Sequence, residues 1–162
     1  MRPHRIEPGP GQESVWDYPR PPVVQPANRL VIVRFGDTEL ARTTAALRLL
    51  ETASPPGYYL PPEDVTWEHL VEIPGTSFCE WKGAARYWGL TANPQGTAVG
   101  WSYPSPNPTY HDLRGYLSFY PGRVECYVDD ERVRPQPGRF YGGWITDEIA
   151  GPVKGEPGTG HW

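Results

Sequence analysis

The chain is poor in aliphatic side chains. Leu, Ile, Val and Phe together supply only 31 of its 162 residues, a level found in disordered chains when the net charge is high. Lysine is scarcer still. The chain has two, Lys82 and Lys154, against thirteen arginines, and each lysine is followed by glycine. No apolar run approaches the roughly 18 residues of a membrane span, so no membrane segment is expected. Cys79 and Cys126 are the only cysteines and form no C-x-x-C pair. They read as reduced thiols, which fits a cytoplasmic protein. The histidines, His4, His69, His111 and His161, have no metal-ligand spacing and lie far in sequence from either cysteine, so no metal is expected. Neither G-x-x-x-x-G-K-[ST] nor G-x-G-x-x-G occurs, and no cofactor is expected. A formal net charge of −4 argues against nucleic acid held by general electrostatics. Met1 to Pro10 contain no apolar stretch of the signal-peptide kind.

What is present is proline (21), glycine (18), ten Tyr and seven Trp. Disordered chains lack aromatics because they cannot bury enough apolar surface to offset chain entropy. Each ring buries about 150–250 Å², so rings take the place of the missing aliphatics. The length fits one domain. The composition predicts a folded, loop-rich, aromatic-cored protein and disfavours coiled coils and helical bundles.

Residues 1–28 read as a proline-rich arm. Its Val15-Trp16-Asp17-Tyr18-Pro19 segment is too aromatic to float free and is expected to dock on the body. Residues 29–150 read as a β-rich domain and residues 151–162 as a C-terminal loop. Short strand signals punctuated by Pro and Gly run along the body. They comprise Leu30 to Val33, Leu40 to Ala41 after a hairpin turn over Phe35-Gly36-Asp37-Thr38-Glu39, Gly57 to Leu60, Ser77 to Lys82, Ala84 to Trp88, Ala98 to Tyr103, Gly115 to Tyr120, Arg123 to Val128, and Phe140 to Ile145. Glycines 142 and 143 inside the last suggest a bulge or a close backbone approach. Val128 to Val133 reads as a tight hairpin with Asp129-Asp130-Glu131 at its charged tip. A short helix is expected over Ala45 to Glu51, whose Ala, Leu and Arg are good helix formers, and one or two helical turns over Glu63 to Val71. The pattern predicts a mainly β fold: one compact domain of short, coiled antiparallel sheets or a barrel, with one or two short helices. Trp16 to Pro21 and Trp101 to Pro106 share a W-x-Y-P-x-P pattern. It fits a half-domain duplication or a reused Tyr-Pro strand stop.

Ser77-Phe78-Cys79-Glu80-Trp81-Lys82-Gly83 carries the densest chemistry. On a continuous strand Cys79 and Trp81 share one face, and Glu80 and Lys82 the other. With the first face inward, Cys79 is a small core residue and Glu80–Lys82 an exposed ion pair. With a kink at Gly83, Lys82 swings toward Cys79 and lowers the pKa of a nucleophilic thiol. Cys79 and Lys82 are therefore the only catalytic candidates, and Lys82 alone reads as an anion-binding charge. Tyr58, Tyr59, Trp81, Trp88, Trp101, Tyr103, Tyr120, Tyr141 and Trp144 serve as ordinary core, or line a ligand pocket, or form a cage for a cation. The binding set drawn from them is Lys82, Glu80, Trp81, Tyr59, Trp101, Tyr103 and Tyr120.

Ala46-Leu47-Arg48-Leu49-Leu50-Glu51, Tyr58-Tyr59-Leu60-Pro61, Cys79-Glu80-Trp81-Lys82-Gly83, Ala85-Arg86-Tyr87-Trp88, Trp101-Ser102-Tyr103-Pro104 and Phe119-Tyr120 carry a resemblance. From Leu30 to Val133 the chain resembles the bacterial family catalogued as domain of unknown function 427, whose core pattern is Cys-x-x-Lys-Gly with a downstream Tyr-Pro. The arm and Phe140-Tyr141-Gly142-Gly143-Trp144 are similar to a longer subgroup. The resemblance implies a small domain of coiled sheets of the β-tent type and no established activity. The nucleotidyltransferase label sometimes attached to the family finds no phosphate or metal motif in this chain.

The function expected first is a cytoplasmic domain that binds, and acts on or merely holds, a small anionic or carbonyl-bearing metabolite. Lys82 would supply the charge and the rings the walls. A groove gripping a peptide or cationic group is the rival, and a structural domain without a ligand the third reading.

Overall fold

The computed structural model describes residues 3–79, 82–138 and 141–162. Fifteen short strands carry the described fold: β1 (Glu13–Ser14), β2 (Val23–Pro26), β3 (Val31–Phe35), β4 (Thr38–Thr43), β5 (Leu47–Leu50), β6 (Gly57–Tyr59), β7 (Leu70–Cys79), β8 (Gly83–Leu90), β9 (Gly100–Ser102), β10 (Leu117–Phe119), β11 (Glu125–Val128), β12 (Glu131–Arg132), β13 (Arg134–Pro135), β14 (Trp144–Ile145) and β15 (Ile149–Ala150). They form sheets in the orders β10-β9-β8-β7, β12-β11-β3-β4 and β2-β5-β6, with two-stranded pairs β13-β14 and β1-β15. All pairings are antiparallel except β1–β15. Leu60 and Leu117 exchange backbone hydrogen bonds at 2.8 and 2.9 Å and so join the β6 and β10 sheets edge to edge. The fold is mainly β, and the sheets do not close into a barrel.

Local chemistry explains the hairpins. Gly36, at φ +59°, turns β3 into β4, and Asp129 and Asp130, at φ +46° and +69°, turn β11 into β12. Two consecutive positive φ values suit a tight two-residue loop, and Asp tolerates them better than most residues. The Asp129 carboxylate accepts from Leu30 N (3.0 Å) and from Arg29 (2.8 Å), and this pairing pulls its pKa down.

The short helix expected over Ala45 to Glu51 does not form; that stretch contains β5 instead. Arg48, Leu49 and Leu50 are all buried. Leu49 packs into a cluster with Tyr59, Tyr103 and Leu113, and Leu50 into another with Val15, Trp16 and Ile149. Successive residues bury on opposite faces only in a strand, and this packing outweighs the modest helix preference of Ala, Leu and Arg. The helical segments among the described residues are 3₁₀ turns: Val15–Asp17, Pro62–Asp64, Trp67–His69 and Pro108–Leu113. No helix among the described residues is long and apolar enough to cross a membrane.

The strand expected from Ser77 to Lys82 does not extend to Lys82: among the described residues β7 runs to Cys79, which pairs with Gly83, the first residue of β8. Lys82 therefore lies in the hairpin connection, where strand alternation does not apply. Glu80 and Trp81 fall outside the described residues. The two W-x-Y-P-x-P stretches adopt different structures: Trp16 sits in a 3₁₀ turn and Trp101 in β9.

Residues near both ends of the chain share a cluster. Val15, Trp16, Tyr18, Leu50, Ala53 and Ile149 are buried together, with Ile145, Val153 and Trp162 against them. Trp16 Nε1 donates to Pro152 O at 2.9 Å, and the Trp16 ring meets Trp162 edge-on at 5.5 Å. Arg48, drawn inward on β5, is neutralised by Glu13 of β1 at 2.7 Å.

Candidate functional site

Strand periodicity builds one wall of a cavity. Ala85 and Tyr87 lie two apart on β8, and Trp101 and Tyr103 two apart on β9 and just beyond it. Ser77 pairs with Ala85, and Tyr87 with Trp101. These five residues therefore share a face, and all of them line a cavity of about 270 Å³. The Tyr87 hydroxyl and Ser77 Oγ are 2.6 Å apart. Tyr59 of β6, Tyr120 after β10 and Tyr141 complete the aromatic lining. Tyr59 meets Trp101 at right angles, with centroids 6.1 Å apart, and Trp101 lies 4.6 Å from Tyr120. Trp101 Nε1 donates to the Tyr59 hydroxyl at 3.3 Å. Arg123 stacks on Tyr120 from 4.0 Å. Gly57, Ala85, Gly142 and Gly143 also line the cavity. A Cβ on Gly142 would collide with the edge of the Trp101 ring.

Lys82 lines the cavity, with Nζ 5.9 Å from the centre of the Tyr103 ring. Its backbone is pinned. Asn107 N donates to Lys82 O at 3.1 Å, and the next residue, Gly83, has φ +107° and lies so close to Ser105 O that a Cβ would stand 3.3 Å from it. The proline-rich loop after β9 thereby holds the hairpin connection over Tyr103.

Of the sequence-predicted binding residues, Lys82, Tyr59, Trp101, Tyr103 and Tyr120 line this one cavity. Glu80 and Trp81 lie outside the described residues. Cys79, half-buried with a free thiol, is not part of the described lining. Sequence reasoning missed Glu51, Gln136 and Lys154 as lining residues and placed Tyr141 only among the general aromatics. The available signal for Lys154 was its rarity and its Lys-Gly setting.

Lys154 repeats the design of Lys82. Its Nζ lies 5.5 Å from the centre of the Tyr141 ring, its N–H donates to Ala53 O at 2.7 Å, and its carbonyl accepts from Gln136 Nε2 at 2.7 Å. Gly155 follows at φ +139°, where a Cβ would collide with Pro137 O. Among the described residues neither ammonium has a hydrogen bond or an ion pair within 4.0 Å. No group of three or more His, Cys, Asp or Glu among the described residues is placed to hold a metal.

Burial pushes the Tyr59 phenol well above the ordinary tyrosine range; the Trp101 hydrogen bond opposes the shift only in part. Burial raises Tyr103 likewise, against the pull of Lys82. Both hydroxyls therefore stay protonated around neutral pH. A phenol whose pKa is raised by folding stabilises the fold fully below its unfolded value of about 10 and loses that contribution as the pH climbs toward the folded value. Alkaline titration is thus expected to leave the buried tyrosines neutral past pH about 10, with their tyrosinate absorbance appearing together with loss of near-UV dichroism. Titration of all ten tyrosines in one ordinary step with the dichroism intact would contradict this burial.

No curated protein matches the chain. Residues 23–130, most of the sequence, match the family model NTP_transf_9, described as Domain of unknown function (DUF427), and the protein belongs to that family.

Proposed function

We propose that this protein binds a small anionic or carbonyl-bearing metabolite in the aromatic cavity, with Lys82 as the charge that orients it. The observation that carries the reading is that the chain's two lysines both line one cavity, each over a tyrosine ring and neither paired with a carboxylate among the described residues. A partly buried ammonium without a counter-charge is costly. A ring face offers only about 0.5–2 kcal/mol in return. An anion restores what desolvation removes, and tyrosine hydroxyls held protonated are ready donors to a carbonyl or carboxylate. A volume of about 270 Å³ is on the scale of a small-molecule site. We infer a cytoplasmic location from the two free thiols, since oxidising compartments favour disulfides.

The test is a thermal-shift screen of metabolites against the wild-type chain and Lys82→Met. A ligand that binds only the native state raises the melting temperature by mass action. Anionic compounds are expected to shift the wild type and not the variant. Among the described residues the Lys82 side chain makes no hydrogen bond, so the unliganded variant should remain folded and be no less stable than the wild type. Shifts given by peptides and by no metabolite would sink the reading in favour of an interaction module.

A further inference from the structure

The match to the family ends at residue 130, yet Gln136, Tyr141, Gly142, Gly143 and Lys154 line the cavity. One wall of the site is therefore built from the segment that follows the family core. We propose that this wall sets the ligand class: Lys154 takes a second anionic group, so that the site selects dianions over monoanions. The inference rests on the reading of the cavity as an anion site and adds a specificity residue to it.

The wall is a constructed part of the fold. Gln136, only 5 % exposed, accepts from Gly143 N at 3.1 Å through Oε1 and donates to Lys154 O through Nε2. A single amide thus ties the glycine pair to the lysine. Trp144, fully buried, donates from its backbone to Pro56 O (2.8 Å) and from Nε1 to Phe119 O (3.0 Å), fastening the same segment to β10 and to the approach to β6. With its backbone held at both N–H and C=O, Lys154 has little freedom to leave the cavity other than through its own side-chain torsions. Glu51 is the one carboxylate in the described lining, and it forms no ion pair with either lysine within 4.0 Å. A monoanion satisfies one ammonium and leaves the other over its tyrosine ring. A dianion satisfies both, and each charge-assisted contact adds to affinity.

Calorimetric titration of the full chain with benzoate, isophthalate and terephthalate tests this, in the wild type, Lys154→Met and Lys154→Arg. At least one dicarboxylate is expected to bind the wild type about tenfold more tightly than benzoate, a factor in keeping with one added charged hydrogen bond. Lys154→Met should abolish that preference, with the larger loss of affinity falling on the dicarboxylate, and Lys154→Arg should retain it, while the denaturant midpoint of each variant shows that it is folded. Benzoate binding without any dicarboxylate preference in the wild type overturns the role of Lys154 and leaves the anion site standing. A preference that survives Lys154→Met does the same. Failure of all three probes to bind the wild type removes the anion site itself.

Discussion

Trp144→Ala is expected to lower stability by about 3–5 kcal/mol and to abolish ligand binding with it. The ring is fully buried and stacks on Tyr58 with centroids 4.8 Å apart. Truncation removes that stack, opens a void in a close-packed core, and leaves the buried Phe119 carbonyl without its indole donor. An unsatisfied buried acceptor adds about 1–3 kcal/mol. Against a total stability of about 5–15 kcal/mol, the loss is a large fraction. Trp144→Phe separates the contributions, since it keeps a ring against Tyr58 and removes only the hydrogen bond and part of the volume. Its cost should be clearly smaller. Urea denaturation of both variants measures this, and a change below about 1 kcal/mol for Trp144→Ala would show that this residue does not pin the segment to the core.

Removal of residues 1–20 is expected to be as damaging. The deleted stretch carries Val15, Trp16 and Tyr18, each buried. Burial of such side chains is worth about 1.5–3 kcal/mol apiece, offset in part by the entropy regained by the shortened chain. The loss extends further, because Leu50, Ala53 and Ile149 would face water and Arg48 would lose Glu13. A cation left largely buried without its partner is among the costliest defects a fold can carry. The point variant Trp16→Ala should reproduce part of the effect, about 3–5 kcal/mol at most. An unchanged denaturant midpoint for the truncated chain would show that the segment contributes nothing to the body.

Much of this architecture was legible in residue patterns, and the exceptions have physical causes. The hairpins at Gly36 and at Asp129-Asp130 could be read because turn chemistry is local. The rings at Tyr59, Trp101, Tyr103 and Tyr120 could be named as a set, since a chain short of aliphatics must cluster its aromatics. The close backbone approach at Gly142 and Gly143 was legible too, and the structure supplies its cause in the edge of Trp101 and in Gln136. The strand at Leu47–Leu50 was hidden, because local propensity there favours a helix and only the distant partners β2 and β6 reverse it. Lys82 stood out by its rarity, but its direction depends on β7 ending at Cys79 and on a backbone bond from Asn107, neither of which has a pattern. Lys154 is placed by Ala53 and Gln136, residues far from it in sequence, within a stretch that reads only as loop.

The parallel pairing of β1 with β15 also dictates an order of assembly. Glu13 and Ser14 meet Ile149 and Ala150, so this contact closes a loop through nearly the whole chain, and contacts of such wide sequence separation form late and slowly. The hairpins β3–β4, β7–β8 and β11–β12 close over a few residues and need not wait. On the ribosome the wall bearing Tyr141 and Lys154 cannot settle until residues beyond 150 have emerged, whereas the strands holding Lys82 and Trp101 are already available to pair. The cavity is thus complete only once the chain has extended to Lys154, and a chain caught before that step would leave part of its aromatic lining open to water.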